Sequence, residues 1–143
     1  MLKISFAEQY GGIMIATRNI KKGEKISDLS QLPLIEKNNK YAITKTIGVY
    51  FDTTDHFGRF FNHSCEPNMT MNFENWCFYA LKDIDESEMV TFNYFQTEYE
   101  MASPFDCLCG SKLCFGKIMG WKGLEEDKRT VARSIIPISP NFI

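Results

Sequence analysis

Apolar and polar residues alternate in short runs at the start of the chain, Leu2 to Phe6 and Ile13 to Thr17, around the turn-forming Tyr10-Gly11-Gly12. Alternation with period two around a glycine pair predicts a β-hairpin or two short strands. Lys21-Lys22-Gly23-Glu24 signals a second turn, and Leu32-Pro33-Leu34-Ile35 is a short apolar run that its proline confines to a sheet edge. Thr53-Thr54-Asp55 stands where it would cap a short helical turn whose apolar side holds Phe57, Phe60 and Phe61. Met69 to Phe73 alternates strictly, Glu74-Asn75 supplies a two-residue turn in which asparagine tolerates positive φ, and Trp76 to Leu81 returns as a strand. Met89 to Tyr94 is a further β-rich run, whereas 104–116 is too rich in cysteine and glycine for regular structure. Leu124, Val131 and Ile135 then sit at helical spacing before Pro137 and Pro140 stop the helix. The pattern predicts a mostly β protein of many short strands with one C-terminal helix.

Composition narrows this little. At 143 residues, 44% hydrophobic and 24% charged, the chain fits one globular domain with a core of useful size. Its 16 basic and 18 acidic residues give no bulk electrostatic reason to bind nucleic acid directly, though a lysine-rich partner is tolerated. No run approaches 18 apolar residues and Met1-Leu2-Lys3-Ile4-Ser5 lacks the apolar stretch of a secretory signal, so an intracellular, soluble protein without membrane contact is expected.

Cysteine changes the picture. Cys107, Cys109 and Cys114 crowd into eight residues, with Gly110 letting the chain curl around an ion. Three soft ligands need a fourth, and Cys65, Cys77, His56 and His63 are the candidates. Cys77 lies between two aromatic residues of the predicted hairpin and reads as a small buried hydrophobe. Cys65 lies in an irregular loop and suits a ligand better, so one structural Zn2+ held by Cys65, Cys107, Cys109 and Cys114 is expected.

Arg59-Phe60-Phe61-Asn62-His63-Ser64-Cys65-Glu66-Pro67-Asn68 resembles the signature of SET-domain protein-lysine methyltransferases. Glu88 to Tyr94 resembles the family's second signature, and 107–116 its post-SET zinc motif. More weakly, Ala16 to Glu24 and Tyr41-Ala42 are similar to other parts of the family pattern. The resemblance implies a SET-domain fold of small curved β-sheets with a knot-like C-terminal threading, short helices and a zinc-bound post-SET segment. It divides the chain into a SET domain at 1–100, a post-SET zinc segment at 101–120 and a C-terminal extension at 121–143 that packs on the domain.

By the same resemblance the protein is an S-adenosyl-L-methionine-dependent methyltransferase acting on an amine, foremost a protein or peptide lysine. A small-molecule amine as substrate and a catalytically inactive zinc-binding module are the alternatives. Tyr94 and Tyr41 inherit catalytic positions, and Asn62, His63, Gly11, Gly12, Ile13, Tyr94 and Phe115 fall to the cofactor. Phe92 and Tyr41 line the substrate channel, and phenylalanine at 92 implies room for more than one methyl group. The His63 ring is expected to be a hydrogen-bonding loop group and Tyr94 an aligning hydroxyl, because a free phenol is too weakly acidic to act as a base near neutrality.

The chain also departs from the family pattern. Ile13 stands where the second glycine of a Gly-x-Gly is usual, Ser87 and Met89 replace a glycine and an acid, and Asn93 replaces an acid before the tyrosine. Phe115 follows the last cysteine where arginine is commoner, and Phe115 and Trp121 either cover the cofactor or pack in the core.

Overall fold

The structure, a computed structural model, describes residues 1–142. The mostly β expectation holds: strands β1 (Leu2–Ala7), β2 (Gly11–Ala16), β3 (Lys25–Asp28), β4 (Leu34–Ile35), β5 (Ala42–Thr46), β6 (Val49–Asp52), β7 (Asn62–His63), β8 (Met69–Asn72), β9 (Cys77–Ala80), β10 (Thr91–Phe92), β11 (Phe105–Asp106) and β12 (Lys117–Ile118) precede an α-helix, α1 (Glu126–Ile135). They form small sheets: the β1–β2 hairpin, a β3–β9–β8 sheet, a β4–β6–β5 sheet with β4 at its edge, and the pairs β7–β10 and β11–β12. Among the described residues, no helix is long and apolar enough to cross a membrane.

Several local expectations shift. The 3-10 turn at Phe57–Phe60 is capped by His56, whose Nδ1 accepts from the Gly58 N–H at 2.9 Å, not by Thr53 to Asp55. In the β8–β9 hairpin the positive φ falls on Trp76 (57°) instead of Asn75, so the turn is longer than two residues. Met89 to Tyr94 contains only two residues of strand. β10 pairs in parallel with β7, Thr91 opposite Asn62 and Phe92 opposite His63, and Tyr94 already opens a 3-10 turn. On α1, which begins at Glu126, Val131 faces solvent and Ala132 takes the buried position; Leu124 is buried but lies before the helix and does not set its face. β5 and β6 escape a reading by alternation, since Ala42, Ile43 and Thr44 are all buried.

Two apolar clusters result. The larger gathers Met14, Ile20, Leu29, Phe51, Phe61, Met69, Phe78 and Phe92 from the first four groups of strands. The smaller gathers Cys65, Phe95, Phe115, Ile118, Trp121, Leu124 and Ala132. Tyr94 packs against both.

Candidate active site and cysteine centre

The parallel β7–β10 pair brings the segments 62–68 and 88–94 side by side. Asn68 fixes them: its Oδ1 accepts from Thr91 N–H at 2.8 Å while its Nδ2 donates to Glu88 Oε2 and the Met89 carbonyl. Ser87, at the turn leading into this segment, has φ of 73°, the left-handed backbone that explains why glycine is usual there.

Tyr94 is held at both ends. Its hydroxyl donates to the Phe61 carbonyl at 2.6 Å, and its backbone N–H donates to His63 Nδ1 at 3.0 Å. Burial, and secondarily the charge of Glu98, push the phenol above its ordinary range, so Tyr94 stays neutral. His63 is buried and burial lowers it to about 3, so its ring is neutral too. With Nδ1 accepting, Nε2 carries the proton and points it at Cys65 Sγ, 3.2 Å away. One imidazole thus links the backbone of Tyr94 to a cysteine of the cluster.

The sulfur atoms of Cys65, Cys107, Cys109 and Cys114 lie within 4.8 Å of one another, and Cys65 to Cys107 is 3.8 Å. A tetrahedral zinc with bonds of about 2.3 Å requires sulfur–sulfur edges of about 3.8 Å. Phe115 N–H and Cys109 N–H point at Cys65 and Cys107 Sγ, the kind of donor that steadies a thiolate. Burial, and secondarily the neighbouring Cys107 and Cys109, push the Cys65 thiol up; a divalent cation would reverse that by supplying the charge four clustered sulfurs lack. The cluster fits zinc, with Cys65 as fourth member; Cys77, His56 and His63 stand outside it, and none of the five cysteines forms a disulfide.

The segment at 11–13 meets the 62–63 segment through Asn62, whose Nδ2 donates to the Gly12 and Phe60 carbonyls at 3.1 and 3.2 Å. Gly12 has no room for a side chain, since a Cβ would lie 2.5 Å from the Phe60 ring; Gly11, at φ of 76°, faces open space. Ile13 is buried. Phe115 packs edge-on against Phe95 at 5.5 Å, and Trp121 is buried between Phe142 and the guanidinium groups of Arg129 and Arg133. The amide Nδ2 of Asn93 is buried without a partner, while its Oδ1 accepts from Phe95 N–H. An acid, which only accepts, would leave no such orphan.

A narrow cavity of about 40 Å³ lies beside the larger cluster, its lining including Tyr41, Phe61, Phe92, Tyr94 and Glu98. That is room for a few waters or the end of an aliphatic chain. Lys40 and Arg59 stand at its wall, over the Tyr41 ring at 5.0 and 5.6 Å. Tyr41, Phe92 and Tyr94, all named from sequence, meet here; Glu98 was missed. It follows Tyr94 by four residues, the spacing at which one helical turn returns a side chain to the same side.

A family model described as "SET domain" matches residues 11–95. The chain is 35% identical over 66 residues to the Aspergillus flavus protein named Methyltransferase flvH, covering 45% of this chain and 37% of that one. It is also 35% identical over 94 residues to an Emericella nidulans histone-lysine N-methyltransferase, H3 lysine-4 specific, covering 61% of this chain and 7% of that one. Among solved structures it superposes on the methyltransferase domain of human histone-lysine N-methyltransferase SETMAR with a TM-score of 0.61 at 20% identity, over 80% of this chain and 56% of the other. KRYPTONITE, solved with mCHH DNA, H3(1-15) peptide and SAH, gives 0.67 at 18% identity, over 81% and 29%. The chain thus spans 37% and 7% of the two curated relatives, and the solved structures speak for the fold. With more than half its length matched by the family model and both signatures meeting at Tyr94, the chain belongs to the SET-domain family.

Proposed function

We propose that the protein is an S-adenosylmethionine-dependent N-methyltransferase whose substrate is the side-chain amine of a protein lysine, working in an intracellular compartment where its cysteines stay reduced. The observation that carries the reading is Tyr94, its hydroxyl anchored on the Phe61 carbonyl at the wall of a narrow cavity shared with Phe92 and Tyr41. Relatives named as histone-lysine methyltransferases and a neighbour solved with SAH and an H3 peptide support it.

Gly11, Gly12, Ile13, Asn62, His63 and Tyr94 would hold the cofactor, with Phe115 nearby, and the Asn62–Gly12 hydrogen bond already joins the two segments into one wall. When bound, S-adenosylmethionine supplies an electrophilic methyl group on a cationic sulfur. The chain's own part is alignment and dryness. Because Tyr94 spends its proton on Phe61, its oxygen presents lone pairs, which orient an amine without abstracting its proton. Phe61, Phe92 and Tyr41 exclude water, which disfavours the ammonium form that cannot attack. Phe92 has no hydroxyl, leaving space for successive methyl groups. One zinc on Cys65, Cys107, Cys109 and Cys114 would hold the C-terminal segment against this site.

Calorimetry with S-adenosylmethionine, followed by mass spectrometry on H3 peptides, lysate proteins and small amines, tests the reading. Tyr94→Phe is expected to keep cofactor affinity within about twofold and to lower kcat by about 100-fold or more. Zinc-loaded protein that binds no cofactor overturns the proposal; turnover confined to small amines overturns its substrate class.

A further inference from the structure

Glu98 is 5% exposed, yet among the described residues no lysine, arginine or histidine forms an ion pair with it. Its partners are neutral. Oε2 accepts from Thr44 N–H at 3.1 Å and from the Thr97 hydroxyl at 2.7 Å; Oε1 accepts from the Thr44 hydroxyl at 2.9 Å. A carboxylate has about four acceptor sites, so Oε1 retains capacity. Buried carboxylates without a cation are costly and are normally paired.

The same residue lines the cavity with Tyr94. Its backbone N–H donates to the Tyr94 carbonyl at 2.8 Å, so one turn of chain carries both side chains to that cavity. The other charged or titratable groups of the lining are Lys40, Tyr41, Arg59 and Tyr94. Both cations sit over the Tyr41 ring, and Arg59 also donates to the Thr54 carbonyl.

We propose that Glu98 is the counter-ion and proton acceptor of the substrate's ammonium group. The inference rests on the amine-methylation reading and adds to it the residue that resolves its proton problem. An ammonium entering the cavity pairs with the carboxylate; one N–H bond breaks and the proton passes to Glu98, leaving a neutral amine and a neutral carboxylic acid. The freed lone pair then forms the N–CH3 bond while the sulfur–carbon electron pair stays on sulfur. Glu98 returns its proton to solvent before the next round. Burial already raises Glu98 to about 7, which suits a group that must take and release a proton near neutrality.

The experiment uses the zinc-loaded protein with 13C-labelled glutamate carboxyls, titrated by NMR with and without n-butylammonium. One carboxyl signal is expected to titrate near neutrality, to vanish in Glu98→Gln, and to move to lower pH as butylammonium is added. A midpoint that ignores the amine over its whole range overturns the proposal. Glutamine can keep the Thr44 and Thr97 hydrogen bonds through its own oxygen and amide, so the variant removes charge and little else. On a methylated lysine peptide, Glu98→Gln is expected to lose the acidic limb of the kcat profile and about 30-fold or more in kcat near neutrality. Replacing the reacting lysine with aminoethylcysteine, whose amine is less basic, should restore most of that loss. Equal loss on both peptides marks a merely structural role and overturns the proposal. An amine-responsive Glu98 in a protein that methylates no peptide leaves the proposal standing and refutes the protein-lysine reading instead.

Discussion

The larger cluster and the smaller one are built by different means. The first lies among paired strands, with aliphatic and phenylalanine side chains from β2, β3, β6, β8 and β9 interlocked and their backbones satisfied by one another. The second has one two-residue strand pair, a ten-residue helix, a buried Cys65 and three further cysteines at its edge. Burial and hydrogen bonding suffice for the first. The second has little regular structure of its own, and an ion on its four cysteines would tie it together. The difference suggests where the molecule can be taken apart: Tyr94 packs against both clusters, so losing the second would disturb the Tyr94 site while the first keeps its own strand pairing.

Removing one cysteine tests that separation most severely. Cys109→Ser is expected to lose the single zinc and, because structural zinc contributes on the order of 10 kcal/mol, to release 104–142 while β3–β9–β8 stays folded. Hydrogen exchange by mass spectrometry checks it; uniform loss of protection across both regions would merge them into one cooperative unit.

The next effect belongs to the Tyr94 site itself. Glu98 titrates near 7 when folded against an ordinary 4.5, so the folded protein holds that proton more tightly than the unfolded chain. Stability from the neutral form is complete below pH 4.5 and is lost as pH rises through 7. Denaturant titrations should show wild type losing on the order of 3 kcal/mol relative to Glu98→Gln over that window.

Smaller still, Ser87→Gly relieves a left-handed backbone on the sheet-built side alone. A gain of about 0.5–1 kcal/mol is expected, seen as a melting temperature a few degrees higher with zinc affinity unchanged. Phe92→Tyr should leave both regions intact and shift the product toward monomethyl, read by mass spectrometry at long times with excess cofactor.

Legibility in the sequence follows the same division. The β8–β9 hairpin announces itself because Met69 and Met71 are buried in alternation along β8, and the β1–β2 hairpin is legible from its turn and period-two pattern although Ile4 and Phe6 of β1 face solvent. β5 is not, since its residues are buried in succession and period two disappears. The fourth cysteine was legible only because Cys65 lies within a motif, for 42 residues separate it from Cys107 and no local pattern joins them. Tyr41, Phe92 and Tyr94 were named by motif, but Glu98 looked like any acid in a loop. Its meaning depends on Thr44, 54 residues away, and on the absence of a cation, and neither leaves a trace in spacing.

The tethers of Tyr94 also have a history in time. Its backbone and hydroxyl are held by residues 31 and 33 positions earlier, and Glu98 beside it by one 54 positions earlier. Contacts of such separation close late, after the local hairpins have formed. A chain emerging from the ribosome would therefore hold its local hairpins well before it holds a usable tyrosine, and Cys107, Cys109 and Cys114 would arrive later still.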